Sequence, residues 1–202
     1  KLFLWKVEGY LPQETAGFDP NSDGQSLFGH VRRIEMDYTK PAGQEWKTKA
    51  ITVDKFKYPN DVRLMNSPVI GFKKPVIRHI AGKKYMYYIG NTIVMIYRFD
   101  GEIAVPCGGF GSGSSKIPHP TSPDTLSGGW ARAWIWNDTN GNGDFNTGEW
   151  QSWSAISPFD DRAFSVDSLG NIWHVPYKGF SSDSIYKYPV VSIDGNGSPV
   201  YS

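Results

Sequence analysis

The stretch Lys84–Pro106, KYMYYIGNTIVMIYRFDGEIAVP, decides the fold class. Three runs rich in Tyr, Ile, Val and Met are separated by Gly90-Asn91 and Asp100-Gly101, pairs that suit two-residue hairpin turns. Aromatic and β-branched side chains favour a pleated surface. A three-stranded antiparallel meander is therefore expected over Lys84–Val105.

Working outward, the same pattern recurs and convincing helical periodicity is hard to find. Further strands are expected at Leu2–Val7, Val31–Tyr38, Trp46–Val53, Val76–Ile80, Ala131–Asn137, Ala163–Val166, Asn171–Val175, Ile185–Tyr188 and Val190–Ile193, punctuated by Gly, Pro, Asn and Asp. Eight Trp, eleven Tyr and eleven Phe beside 22 Gly and 14 Pro fit many short strands joined by tight turns. The Gly/Ser/Pro-rich segment Cys107–Gly129 reads as a long surface connection, with a flexible ligand-lining loop as the alternative. Its glycines carry no phosphate-cradling motif.

The net charge of +1 gives no argument for a nucleic-acid partner or an anionic membrane surface. No apolar run approaches the roughly 20 residues a membrane-spanning helix needs, so membrane insertion is not expected. Cys107 is the single cysteine, which excludes an intrachain disulfide and a cysteine cluster for zinc. It reads as a small buried hydrophobe. The opening KLFLWKVEGY has too short an apolar stretch for a signal-peptide core and lacks Met, so a mature or proteolysed piece of a longer protein is expected.

The runs KYMYYIGNTIVMIYRFDGEIAVP and FSVDSLGNIWHVP…SIYKYPV resemble blades of NHL-type and related bacterial β-propellers. There, a strand turns at Asp-x-x-Gly-Asn into an Ile-Trp strand. The resemblance spans about residues 66–202 and implies antiparallel, propeller-like blades. At roughly 45 residues per blade, the chain would supply about four. One domain over 1–202 is expected, with a subdivision into 1–65 and 66–202 as an option. The comparable turns at Asp100, Asp167 and Asp194 are unevenly spaced, which keeps a β-sandwich as the alternative.

Between two strand-like, Trp-rich flanks lies Asp138-Thr-Asn140-Gly-Asn142-Gly143-Asp144-Phe-Asn146-Thr-Gly-Glu149, which matches an EF-hand-type calcium loop at every fixed position. Calcium takes six to eight hard oxygens. Asp138, Asn140 and Asn142 would supply side-chain oxygens, and Asp144 its backbone carbonyl. Asn146 would act through water, and Glu149 would close the shell with two oxygens. Gly143 permits the sharp reversal. Two directly ligating carboxylates make a site of moderate affinity, suited to calcium-rich extracellular or periplasmic fluid. With strands as flanks and no partner loop, calcium is expected to staple the loop, not to switch a helix pair. The sequon Asn137-Asp-Thr139 falls inside this loop, where a glycan would interfere. A half-echo, Asp19-Pro-Asn21-Ser-Asp23-Gly24, ends on His30 at its twelfth position and reads as an Asx-type turn, with a second calcium site as the alternative.

No catalytic constellation emerges. His30, His79, His119 and His174 show no metal-ligand spacing, and Asp160-Asp161 beside Arg162 reads as a turn. Trp130, Trp136 and Trp173 are candidate platforms for stacking on sugar rings, against the plainer reading of core packing. The expected function is an extracellular, calcium-stabilised binding or scaffold module for a carbohydrate or protein. The alternatives are part of a polysaccharide-active hydrolase or lyase, or a self-associating subunit of a surface or filament assembly. The remainder of a larger chain is a further expected partner.

Overall fold

The computed structural model describes residues 16–64, 74–90, 93–111, 133–153, 164–175 and 185–202. Apart from one 3-10 turn at Val62–Leu64, every regular element among them is a strand. The chain is thus all-β and its sheets are antiparallel. The strand expected at Leu2–Val7 and most of Cys107–Gly129 lie outside the described residues.

Strands β1 (Gly17–Phe18), β2 (Ser26–Phe28), β3 (Arg32–Met36) and β4 (Trp46–Ile51) form a first sheet in chain order. Strands β5 (Lys74–Ile80), β6 (Lys83–Ile89), β7 (Ile93–Asp100), β8 (Ile103–Gly111), β9 (Ala133–Asn137) and β10 (Trp150–Trp153) form a six-stranded central sheet, each paired with its chain neighbour. A three-stranded sheet of β11 (Phe164–Val166), β12 (Ile172–His174) and β13 (Tyr186–Tyr188) follows, then the hairpin β14 (Val190–Ile193) and β15 (Pro199–Tyr201). Sheets of four, six, three and two strands are not repeated four-stranded blades, and the described residues show no closed ring.

The expected meander is the middle of the central sheet. Its strands are apolar at successive positions because both faces are covered, and alternate side chains enter opposite cores. Met86, Tyr88, Ile93, Met95 and Tyr97 face one core with Phe28, Val62, Trp134, Trp136 and Phe145. Tyr85, Tyr87, Val94 and Ile96 face the other with Cys107, Phe110, Phe164, Ile172 and Tyr188. Burial pushes the Cys107 thiol up to about 12, so it is a packing residue.

The β5–β6 hairpin turns through Ala81 and Gly82, at φ +49° and +75°. An alanine in the left-handed region is strained by roughly 1 kcal/mol, which asparagine or glycine relieves. Ala81→Asn is therefore expected to raise the urea midpoint, with an unchanged slope.

A buried polar knot joins the first sheet to the second. Asp61 and Arg63 are both fully buried. Asp61 Oδ2 accepts from Arg63 Nε at 3.0 Å, and its Oδ1 accepts from the Arg63 amide at 2.9 Å and Tyr97 Oη at 3.1 Å. Arg63 Nη2 donates to the Ala104 carbonyl at 2.7 Å, and the guanidinium lies 4.2 Å from the Tyr97 ring centroid. His30 completes the knot, with Nδ1 against Tyr88 Oη and Nε2 2.6 Å from the Arg63 carbonyl oxygen.

In the second core, His174 stacks on Phe164 with centroids 4.6 Å apart. Burial lowers its pKa from 6.5 to about 4. Between those values the unfolded chain takes a proton that the folded chain does not, so stability falls as pH drops. It is complete above about pH 6.5 and declines toward pH 4. Denaturant midpoints measured across that window should fall, and His174→Phe should flatten the dependence.

Candidate functional site

The loop Asp138–Glu149 connects β9 to β10, whose register Trp150↔Trp136 and Gln151↔Ile135 continues directly from its two ends. A β-bulge helps aim it. Ile96 pairs with Gly108 and Tyr97 with Pro106, leaving Cys107 as the extra residue of β8. The Cys107 carbonyl accepts from the Asp138 amide at 3.3 Å, so the distortion that frees this carbonyl anchors the loop's first residue. Beneath the loop, Phe145 stacks on Trp150 at 5.1 Å and leans on Trp136 at 4.3 Å.

Within the loop, side chains hold the backbone in a relay. Asp138 Oδ2 accepts from the Gly143 amide at 3.1 Å, Asn140 Oδ1 from Asn142 at 2.9 Å, and Asn142 Oδ1 from Asp144 at 2.8 Å. The amides of Asn140 and Asn142 both donate to Asn146 Oδ1, at 2.7 and 2.8 Å. Positions 3, 5 and 9 of the expected ligand set are therefore brought together. Gly143 sits at φ +73°, and a Cβ there would lie 2.8 Å from Tyr58 Cε1. Gly143→Ala is expected to cost about 2 kcal/mol or more through strain and overlap together, read as a lowered melting temperature.

Glu149 departs from the expectation of a bidentate metal ligand. Its Oε1 accepts from Thr139 N and Oγ1 at 3.1 Å and from Asn140 N at 3.3 Å. Its Oε2 accepts from Trp136 Nε1 and Asn146 N, both at 3.2 Å. The carboxylate thus ties the neck of the loop, and among the described residues no group of three His, Cys, Asp or Glu side chains converges as a metal cage. Asp144 keeps to the rim, with Asn60 Nδ2 at 3.3 Å from its Oδ1.

Asp138 is the residue that fits a cation. It is fully buried, and its Oδ1 accepts no hydrogen bond. Burial raises its pKa above the ordinary carboxylate value and the nearby Glu149 charge adds to that, while the Gly143 amide and Arg98 oppose it. A desolvated carboxylate oxygen without a donor is costly unless a charge compensates it. Part of that charge comes from Arg98, which sequence reading missed. Its Nη1 donates to Asp138 Oδ2 at 3.1 Å and its Nη2 to the Gly141 carbonyl at 2.8 Å. The signal was present: a lone cation inside the apolar run MIYRF.

The echo loop folds as an Asx turn, with the Asn21 amide donating to Asp19 Oδ1 at 3.0 Å. The same carboxylate is taken by His79 Nε2 at 2.8 Å and Lys84 Nζ at 3.9 Å. Those basic groups hold the place a cation would take.

The sugar-platform reading does not hold for Trp136, which is buried and donates its indole N–H to Glu149. Trp173 is half-buried on the outer side of β12, its N–H bound to Asp167 at 2.9 Å and Lys187 Nζ 5.2 Å over its ring. Trp130, His119 and Asp160-Asp161 lie outside the described residues. Among the described residues no helix is long and apolar enough to cross a membrane. Compared with known proteins, the chain matches no family model, no curated protein and no solved structure.

Proposed function

We propose that this chain is a calcium-stabilised all-β binding or scaffold module that works outside the cell, extracellularly or in a periplasm. The observation that carries the reading is the buried Asp138 carboxylate, with one oxygen lacking a donor, at the head of a loop that matches the calcium pattern. Asp138, Asn140, Asn142 and Asn146 would hold the ion, with the Asp144 carbonyl. Each of the three amides carries an oxygen that a flip of the amide plane offers to a hard cation. Glu149 would contribute only by giving up loop donors, which favours a weak site of the extracellular kind. Calcium would supply charge compensation and rigidity there, and no chemistry.

A module is favoured over a hydrolase because His30, His79, Asp19, Asp61 and Glu149 are spent on tying turns and layers. Support for a propeller-like relation is confined to the two Asp–Gly hairpins. Asp167 Oδ1 accepts from Leu169 and Asn171, and Asp194 Oδ1 from Asn196 and Ser198, in the same arrangement. Calorimetric titration with calcium tests the ion, and a glycan array beside a polysaccharide turnover assay tests the role. Binding without turnover is the expected result; turnover would replace the module with an enzyme.

A further inference from the structure

Beside the calcium-type loop lies a cleft of about 500 Å³ lined by Lys83, Lys84, Arg98, Phe99, Asp100 and Asn196, among others. Its walls belong to three separate parts of the chain. The turn after β14 forms one wall, held by Tyr85 Oη donating to the Gly197 carbonyl at 2.8 Å. Asn196 Nδ2 in turn donates to the Thr139 carbonyl of the loop at 2.7 Å, which closes the corner between turn and loop. The cleft is therefore bounded by cross-linked backbone and not by loose surface chains.

Two cations, Lys83 and Arg98, face it with one carboxylate, Asp100, while the Lys84 ammonium turns to the other face of the sheet toward Asp19. Arg98 shares its charge with Asp138 but uses only part of its five-donor fork in doing so. Lys84 is 3.9 Å from Asp19 and lies over the Phe99 ring at 4.6 Å. Lys83 is exposed and forms no ion pair with any described residue. Like charges gathered in a concave site raise the local potential and draw in anions. A carboxylate is among the anions that suit a partly free guanidinium beside an ammonium. The amide of Asn196 and the carboxylate of Asp100 offer hydroxyl partners beside it.

We propose that this cleft is the module's ligand site and takes a sugar acid, with Lys83 and Arg98 gripping its carboxylate and Asn196 and Asp100 meeting its hydroxyls. The proposal rests on the binding-module reading but not on calcium. The test is titration by calorimetry or NMR with galacturonate, galacturonate oligomers, galactose and inorganic sulfate, on the parent chain and on K83E. Galacturonate or its oligomers should bind and galactose should not. K83E should weaken binding by roughly tenfold or more, since a charged hydrogen bond is lost and a repulsion added. Its melting temperature should match the parent's, because Lys83 is exposed. A response to oligomers alone would identify a polysaccharide as the source, and one to the monomer as well a free acid. Either supports the proposal. Equal binding of galactose, equal binding of bare sulfate, or indifference to K83E would overturn the assignment. Array binding of neutral glycans with no uronate binding would overturn the cleft and leave the module standing; no binding in either experiment would overturn both.

Discussion

Replacing Asp61 with alanine is expected to cost about 3–5 kcal/mol. The Arg63 guanidinium would remain in the core with carbonyls and an aromatic face but no counter-charge. Tyr97 Oη would lose its acceptor in the same step. For a chain of this size the loss amounts to a fall of roughly 6–20 °C in melting temperature. The companion experiment separates the worth of the pair from the penalty of orphaning one partner. Replacing both, as Asp61→Leu with Arg63→Met, should be less damaging than Asp61→Ala, because no charge is then left in the core. Urea unfolding of the three proteins decides it. A loss below about 1 kcal/mol for Asp61→Ala would mean water reaches the pair.

Calcium removal is expected to have the second large effect if the loop holds the ion as proposed. At a free calcium concentration about a hundred times the dissociation constant, binding to the folded chain alone contributes about 2.7 kcal/mol. That corresponds to a melting temperature roughly 5–10 °C higher than in calcium-stripped buffer. Two substitutions divide the roles of the loop carboxylates. Asp138→Asn should abolish the calcium response, since it removes the charge the ion would meet. Glu149→Gln should lower the melting temperature with or without calcium, because both its oxygens already hold loop and indole donors. Identical melting of the parent chain in the two buffers would end the calcium reading.

The strands were largely legible because their signals are local. The apolar runs at 84–89 and 92–99, the Asp–Gly turns and the short aromatic strands near the end of the chain all carry their own punctuation. Two failures share a cause, which is distance along the chain. Strand β8 runs on through Gly108, Gly109 and Gly111, where a glycine-rich connection was expected. A Cβ at Gly109 would lie 2.9 Å from Met95 Sδ, and one at Gly111 would lie 2.1 Å from the Trp134 ring. These glycines are strand residues under bulky neighbours, and no local pattern reveals the neighbours. The loop shows the same limit. Its ligand spacing was readable from twelve consecutive residues, whereas Arg98, Asn60 and Asn196 reach it from other strands and turns. The motif places Glu149 as a metal ligand, and the fold in addition hands it the Trp136 indole and three backbone amides, which twelve consecutive residues do not reveal.

The doubly covered central sheet has a consequence for how the chain is made. Each of its strands pairs with the next in sequence, so loop closure is cheap and the meander can assemble early. What assembles early has two greasy sides. Residues synthesised before it, Phe28 among them, are on hand to cover one side at once. The partners of the other side, Phe164, Ile172 and Tyr188, come later from the ribosome. For that interval the row Tyr85, Tyr87, Val94 and Ile96 is exposed to whatever is nearby. A chaperone, or another nascent copy, would meet that side first, and slow elongation across residues 112–163 would lengthen the encounter.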